Sequence, residues 1–150
     1  MVAERDSWHS TVSGALVMAA PSSSVEGMEN PEEGLLWASD IASMSLVEGG
    51  MVVLSGCNTG KGYITADGVC GLARAFLCAG TSTVVVSLWA VGDNPTKELM
   101  KAFYSHLLSN TAEAEPSSLT VWAMRQSMLE LVSKSPNEPT LWAPFVVFGL

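Results

Sequence analysis

Two uninterrupted apolar runs constrain the fold of this chain most strongly: residues 51–55 (MVVLS) and residues 83–89 (TVVVSLW). Each has the length of one strand and lacks the alternation of apolar and polar residues found in strands with one solvent-exposed face. A continuous apolar run is typical of strands that are buried on both faces. Between them, Asp67 can cap a helix that extends to Ala79, because apolar residues recur there with helical spacing and Gly80 follows where a terminating glycine belongs. This order predicts a parallel βαβ unit, and hence an α/β fold with a mainly parallel sheet.

The rest of the chain divides into an acidic flank, residues 1–34, and a core, residues 35–150. We expect the flank to be irregular, rich in Ser, Pro, Gly and acids, with one short strand in Gly14–Ala20. In the core, the spacing of apolar residues predicts a short amphipathic helix over Leu35–Met44. Three further elements are predicted: a helix from Asp93 or Asn94 to Ser109, a helix over about 117–133, and a last strand over Phe145–Phe148.

Composition and charge exclude several classes of protein. Of the 150 residues, 48% are hydrophobic and 15% are charged, which suits one folded domain and excludes a disordered chain. The formal net charge is −8, and residues 1–50 hold eight acids and one base. A nucleic-acid-binding surface needs the opposite sign, so we expect no nucleic-acid partner.

We expect a cytoplasmic protein with no membrane span and no cofactor. The longest uncharged run, Ala75–Gly92, is interrupted by Gly-Thr-Ser-Thr. It therefore predicts a helix end, a turn and a strand, and not a membrane-spanning helix. Residues 1–10 contain no apolar segment of the kind found in signal peptides. Three cysteines without a CxxC motif indicate reduced thiols, and with two histidines they make no recognisable zinc pattern.

We expect a catalytic or binding site where the strand over residues 51–55 ends. Ligands and catalytic groups of open α/β sheets collect outside the carboxyl ends of the strands. The glycine-rich loop 56–66 (GCNTGKGYITA) fails the P-loop pattern and also the nucleophile-elbow pattern. It does place a thiol, Cys57, just after a buried strand, where a histidine could ionise it. The alternative is that Cys57 is a small buried apolar residue. Cys70 and Cys78, within the following helix, are expected in the core.

Two carboxylates follow the predicted strands on the same side of the sheet, Asp67 and Asp93. As pocket residues they would favour a substrate with a basic side chain. Each also immediately precedes a predicted helix, so each could serve simply as an N-cap, and one residue could do both.

Several stretches of the sequence together resemble a known family. They read VVLSGCNTG, then ADGVCGLARAFLCAGTSTVVVSLWAVGDNPTKELMKAFYSHLL, then WAPFVVFGL, preceded by GALVMA and GLLWASDI. In combination they resemble the CHAT domain, a caspase-like family that usually follows tetratricopeptide repeats. The resemblance implies a three-layer α/β sandwich, a cysteine-peptidase dyad with Cys57 as nucleophile, and a tetratricopeptide array upstream that presents a protein or peptide substrate.

The chain departs from the family pattern at the general base, a His followed by Gly at the end of a strand that precedes GALVMA. His9 is followed by Ser10 and has no apolar strand before it, and His106 lies within a predicted helix. The resemblance therefore implies that the base and the N-terminal strands lie upstream of Met1. A Cys without its base is a weak nucleophile, so the alternative is a catalytically inactive scaffold or interaction domain.

Overall fold

The computed structural model describes residues 14–18, 34–55, 66–89, 92–109 and 115–149. Side chains at 66–69 and at 116 are not among the described groups. Helices and strands alternate along most of this length. In chain order they are β1 (Ala15–Val17), β2 (Leu35–Trp37), α1 (Ala38–Ala42), β3 (Met51–Leu54), α2 (Ala66–Cys78), β4 (Thr83–Ser87), α3 (Asp93–Ser109), α4 (Pro116–Lys134), α5 (Pro139–Trp142) and β5 (Phe145–Gly149).

Strands β3, β4 and β5 form one sheet in that order. β3 and β4 are parallel, with Met51 opposite Thr83 and Leu54 opposite Val86. The predicted parallel pair joined by a helix is therefore confirmed. β5 runs antiparallel to β4, so this part of the chain does not confirm the expected mainly parallel sheet.

The direction of β5 follows from the number of helices before it. One helix, α2, separates β3 from β4, whereas α3, α4 and the short α5 separate β4 from β5. The additional long helix carries the chain back to the end of β4 that it left, where Leu88 N–H donates to Pro144 O at 2.8 Å. A strand that starts at this end runs opposite to β4.

A second, two-stranded sheet corrects the helix predicted over Leu35–Met44. Residues 35–37 form β2, antiparallel to β1, and the helix α1 covers only Ala38–Ala42. Ala38 N–H donates to Gly14 O at 2.9 Å where the strand passes into the helix. Pairing with β1 overrides the helical spacing, which persists only in α1, where Ile41 is fully buried.

A Schellman motif ends α2 and aligns the two parallel strands. Gly80 has φ +108°, its N–H donates to Leu77 O at 3.1 Å, and Thr81 N–H donates to Phe76 O at 3.2 Å. Ser82 N–H then donates to Gly50 O at 2.9 Å, next to the start of β3. The glycine predicted to stop this helix is confirmed, and the turn that it permits sets where β4 enters the sheet.

Apolar side chains cover both faces of the three-stranded sheet. On one face, Val84 and Val86 pack with α1 and α2. On the other face, Val85 packs with α3 and α4. Neighbouring residues of a strand point to opposite faces, so these are two separate cores, and β4 is fully buried between them.

Candidate functional site

The carboxyl ends of β3 and β4 lie side by side, because the two strands are parallel and pair through Leu54 and Val86. Cys57 follows Leu54 by three positions and lies outside the described residues. The part of the predicted site that the structure describes is therefore the pair of strand ends, which lie next to each other.

Helix starts follow both strand ends. Asp67 is the second residue of α2, and its side chain is not among the described groups. Asp93 is the first residue of α3 and is exposed. The carbonyl oxygen of Gly92 accepts from Thr96 N–H at 3.2 Å and from Thr96 Oγ1 at 3.0 Å. Gly92 thus holds the N-cap position considered for Asp93, whose carboxylate instead lies in the first turn, where a negative charge favours the helix dipole.

Hydrogen bonds to main-chain carbonyl oxygens hold the end of β4. Ser87 Oγ donates to Trp89 O at 2.5 Å, and Leu88 is tied to Pro144 as described above. Leu88 and Trp89 are both part-exposed beyond the last strand residue. Sequence reasoning did not single out Ser87, because a serine within an apolar run carries no signal for a turn that forms only after the strand ends.

His106 lies away from this sheet end. Its Nε2 is 2.7 Å from Glu130 Oε1 on α4, and its ring stands edge-on to Trp122 with centroids 5.8 Å apart. It lies thirteen positions after Asp93 in the helix, which corresponds to about 20 Å along the axis. The structure therefore places His106 in the α3–α4 contact, as a structural residue. His9 lies outside the described residues.

The two cysteines of α2 differ from the prediction that both lie in the core. Cys70 is half-buried, and Cys78 is exposed; both are free thiols. Eight residues of α-helix turn about 80° beyond two full revolutions, so the two side chains leave the helix in different directions. Cys78 is therefore a solvent-accessible thiol.

The described part of the chain was compared with the patterns of metal sites and membrane-spanning helices. There, no three or more His, Cys, Asp or Glu side chains are grouped as metal ligands would be. Over the same residues, no helix combines the length and apolar character that crossing a bilayer requires.

Comparison with known proteins gives consistent matches. The family model described as CHAT domain matches residues 8–150. Tetratricopeptide repeat protein 28 of Mus musculus is 39% identical over 117 residues, which is 78% of this chain. Its Homo sapiens counterpart is 38% identical over 118 residues, or 79% of this chain. In both cases the chain spans 4% of the relative's own length.

Proposed function

This chain belongs to the CHAT domain family, and we propose that it forms a cysteine-peptidase-like site in which Cys57 attacks a peptide bond. The observation that supports the proposal is the adjacent, parallel arrangement of β3 and β4, whose carboxyl ends precede Cys57 and Asp93 respectively. The proposal includes a caspase-like three-layer sandwich, for which the helices on both faces of the sheet are supporting evidence.

The proposed reaction proceeds in two stages. A histidine upstream of Met1 takes the Cys57 proton, and the thiolate sulfur bonds to the scissile carbonyl carbon. Cys57 N–H and a glycine N–H beside that histidine hold the oxyanion. The C–N bond then breaks, the amine leaves with the histidine's proton, and water hydrolyses the thioester to release the acid and the thiol.

Substrate preference and context form part of the same proposal. Asp67 and Asp93 both lie at helix starts that follow the two strand ends, and their carboxylates would attract a basic side chain. Because the relatives are tetratricopeptide repeat proteins, we propose that such repeats act in cis and present a protein or peptide in the cytoplasm.

A non-catalytic interaction domain is the second candidate. The observation that favours it is the position of His106, the one histidine among the described residues, which contacts Glu130 and Trp122 far from the start of α3. If no other histidine reaches Cys57, the same fold would serve only for docking or assembly.

Thiol reactivity distinguishes the two candidates. The protein, extended upstream through the proposed His-Gly, is treated with limiting iodoacetamide between pH 6 and pH 9, and each labelled cysteine is quantified by mass spectrometry. Below pH 8 we expect Cys57 to react at least about tenfold faster than the exposed Cys78, because a neighbouring histidine increases the thiolate fraction. Replacing the upstream histidine by Ala should remove that difference.

Matched variants complete the test. Cys57→Ala should abolish cleavage of fluorogenic peptides with a basic residue before the scissile bond, whereas Cys70→Ala and Cys78→Ala should retain it. If folded, extended protein alkylates Cys57 no faster than Cys78 and cleaves no peptide, the peptidase proposal is wrong and the interaction domain replaces it.

A further inference from the structure

Helix α4 is apolar on two sides. Its inner side is buried against the sheet and α3 through Ala123, Met124 and Leu131. On another side Val121 is 51% exposed and Leu129 is 46% exposed. An apolar side of a helix is normally packed against another element, and among the described residues this second side of α4 is left largely uncovered.

A groove of about 500 Å³ runs between this second side and β5. Val121 and Leu129 line it from α4, Trp142 lines it from α5, and Phe145 and Val147 line it from the strand. A volume of this size accommodates several aliphatic side chains.

The strand beside the groove is an edge strand within the described part of the chain. β5 pairs with β4 on one side, and on its other side no described residue forms a strand pair or a main-chain hydrogen bond with it. Such an edge presents main-chain donors and acceptors to any extended segment that lies along it.

Among the described residues that line the groove, Arg125 is the one that is charged, and it is exposed. Over the described residues, the ion pair on this helix is the one between His106 and Glu130, and no carboxylate oxygen lies within 4 Å of the Arg125 guanidinium. An apolar groove with a single unpaired cation is complementary to an apolar segment that carries one carboxylate.

We propose that this groove binds an extended peptide segment of another protein, which adds to β5 as a further strand. Alternate side chains of the peptide enter the groove toward α4, and an acidic side chain among them pairs with Arg125. The surface lies two strand spacings, about 10 Å, from β3, and it is independent of the peptidase proposal. A second copy of this chain is the alternative occupant, and the experiments below distinguish it from a peptide.

The test uses a fluorescein-labelled nine-residue peptide, Val-Thr-Val-Thr-Asp-Thr-Val-Thr-Val, titrated with the whole chain by fluorescence anisotropy at low salt. Two matched peptides carry Lys in place of Asp, or N-methyl groups on every second amide. We expect the Asp peptide to bind about tenfold more tightly than the Lys peptide, a difference that corresponds to one charge pair. The N-methylated peptide should lose most of its binding, because it cannot pair along β5.

Charge reversal in the protein gives the complementary arm. Arg125→Glu should weaken binding of the Asp peptide about tenfold and tighten binding of the Lys peptide. Arg74→Glu, at an exposed arginine on α2, should change the affinity for neither peptide. If Arg125→Glu fails to fold, as judged by circular dichroism, the comparison of Asp and Lys peptides on the unaltered chain still decides the matter.

Three results would overturn the proposal. One is failure of the Asp peptide to bind, and another is equal binding of the Asp and Lys peptides. The third is a concentration-dependent dimer, seen by analytical ultracentrifugation, that Val121→Glu abolishes, since the groove would then be occupied by a second copy of the chain.

Discussion

Helices α2 and α4 cover opposite faces of the same sheet, and they do so with different surfaces. α2 contributes small residues, Ala73 and Ala75, together with Phe76, and Ala79 packs in the same core directly after the helix ends. α4 contributes larger side chains, Met124 and Leu131, and has a second apolar side that faces the groove. Small residues allow close approach of a helix to its neighbours; α4 has one such residue, Ala123, beside its larger side chains in the core. Intramolecular packing covers the small residues of α2, whereas α4 keeps an apolar surface for another molecule.

The largest expected difference is between two leucines of α4. Leu131→Ala should lower the free energy of unfolding by about 2–5 kcal/mol, because the side chain is 7% exposed and its removal leaves a cavity. Leu129→Ala, two positions earlier and 46% exposed, should cost about 1 kcal/mol or less. Urea unfolding followed by circular dichroism measures both. Equal losses would show that the second apolar side of α4 is also required for folding.

A smaller effect is expected from enlarging a residue of α2. Ala75→Leu should destabilise the protein by about 1–3 kcal/mol, because Ala75 is 1% exposed and the added carbons meet a packed core. Arg74→Leu, on the exposed side of the same helix, is the control and should stay within about 0.5 kcal/mol. Thermal and urea unfolding of the pair provide the measurement. A stabilised Ala75→Leu protein would contradict close packing of α2.

The smallest effect concerns the α3–α4 contact. In a double-mutant cycle, His106→Ala and Glu130→Ala should show a coupling of about 0.2–1 kcal/mol, since the 2.7 Å pair is part-exposed to solvent. Lys134→Ala, on the same helix and exposed, should not couple to His106→Ala. A coupling well above this range would mean that the pair, and not apolar packing, holds α4 against α3.

Much of the fold was predictable from local pattern. The bounds of α3 agree with the prediction from Asp93 to Ser109, and β3, β4 and β5 lie within or next to the three apolar runs. Long periodic helices and continuous apolar strands carry their signal in their own residues, so no distant partner is needed to identify them. The candidate site was less predictable. Its strand ends are placed together, but the roles of Cys57 and Asp67 remain predictions.

By itself the sequence determined the βαβ unit, the terminating glycine at 80 and the family, because each depends on residue types at short, regular spacing. Only the tertiary structure decided that residues 35–37 form a strand, that β5 is antiparallel and that Cys78 faces solvent. It also decided that α4 leaves a groove beside β5. Each of these depends on a partner remote in sequence. Pairing with β1 makes residues 35–37 a strand, and the two long helices before β5 set its direction. The elements packed beside α2 and α4 determine which of their side chains stay exposed. Spacing along one segment specifies which residues share a face, whereas the contacts of that face are set by how the segments pack together.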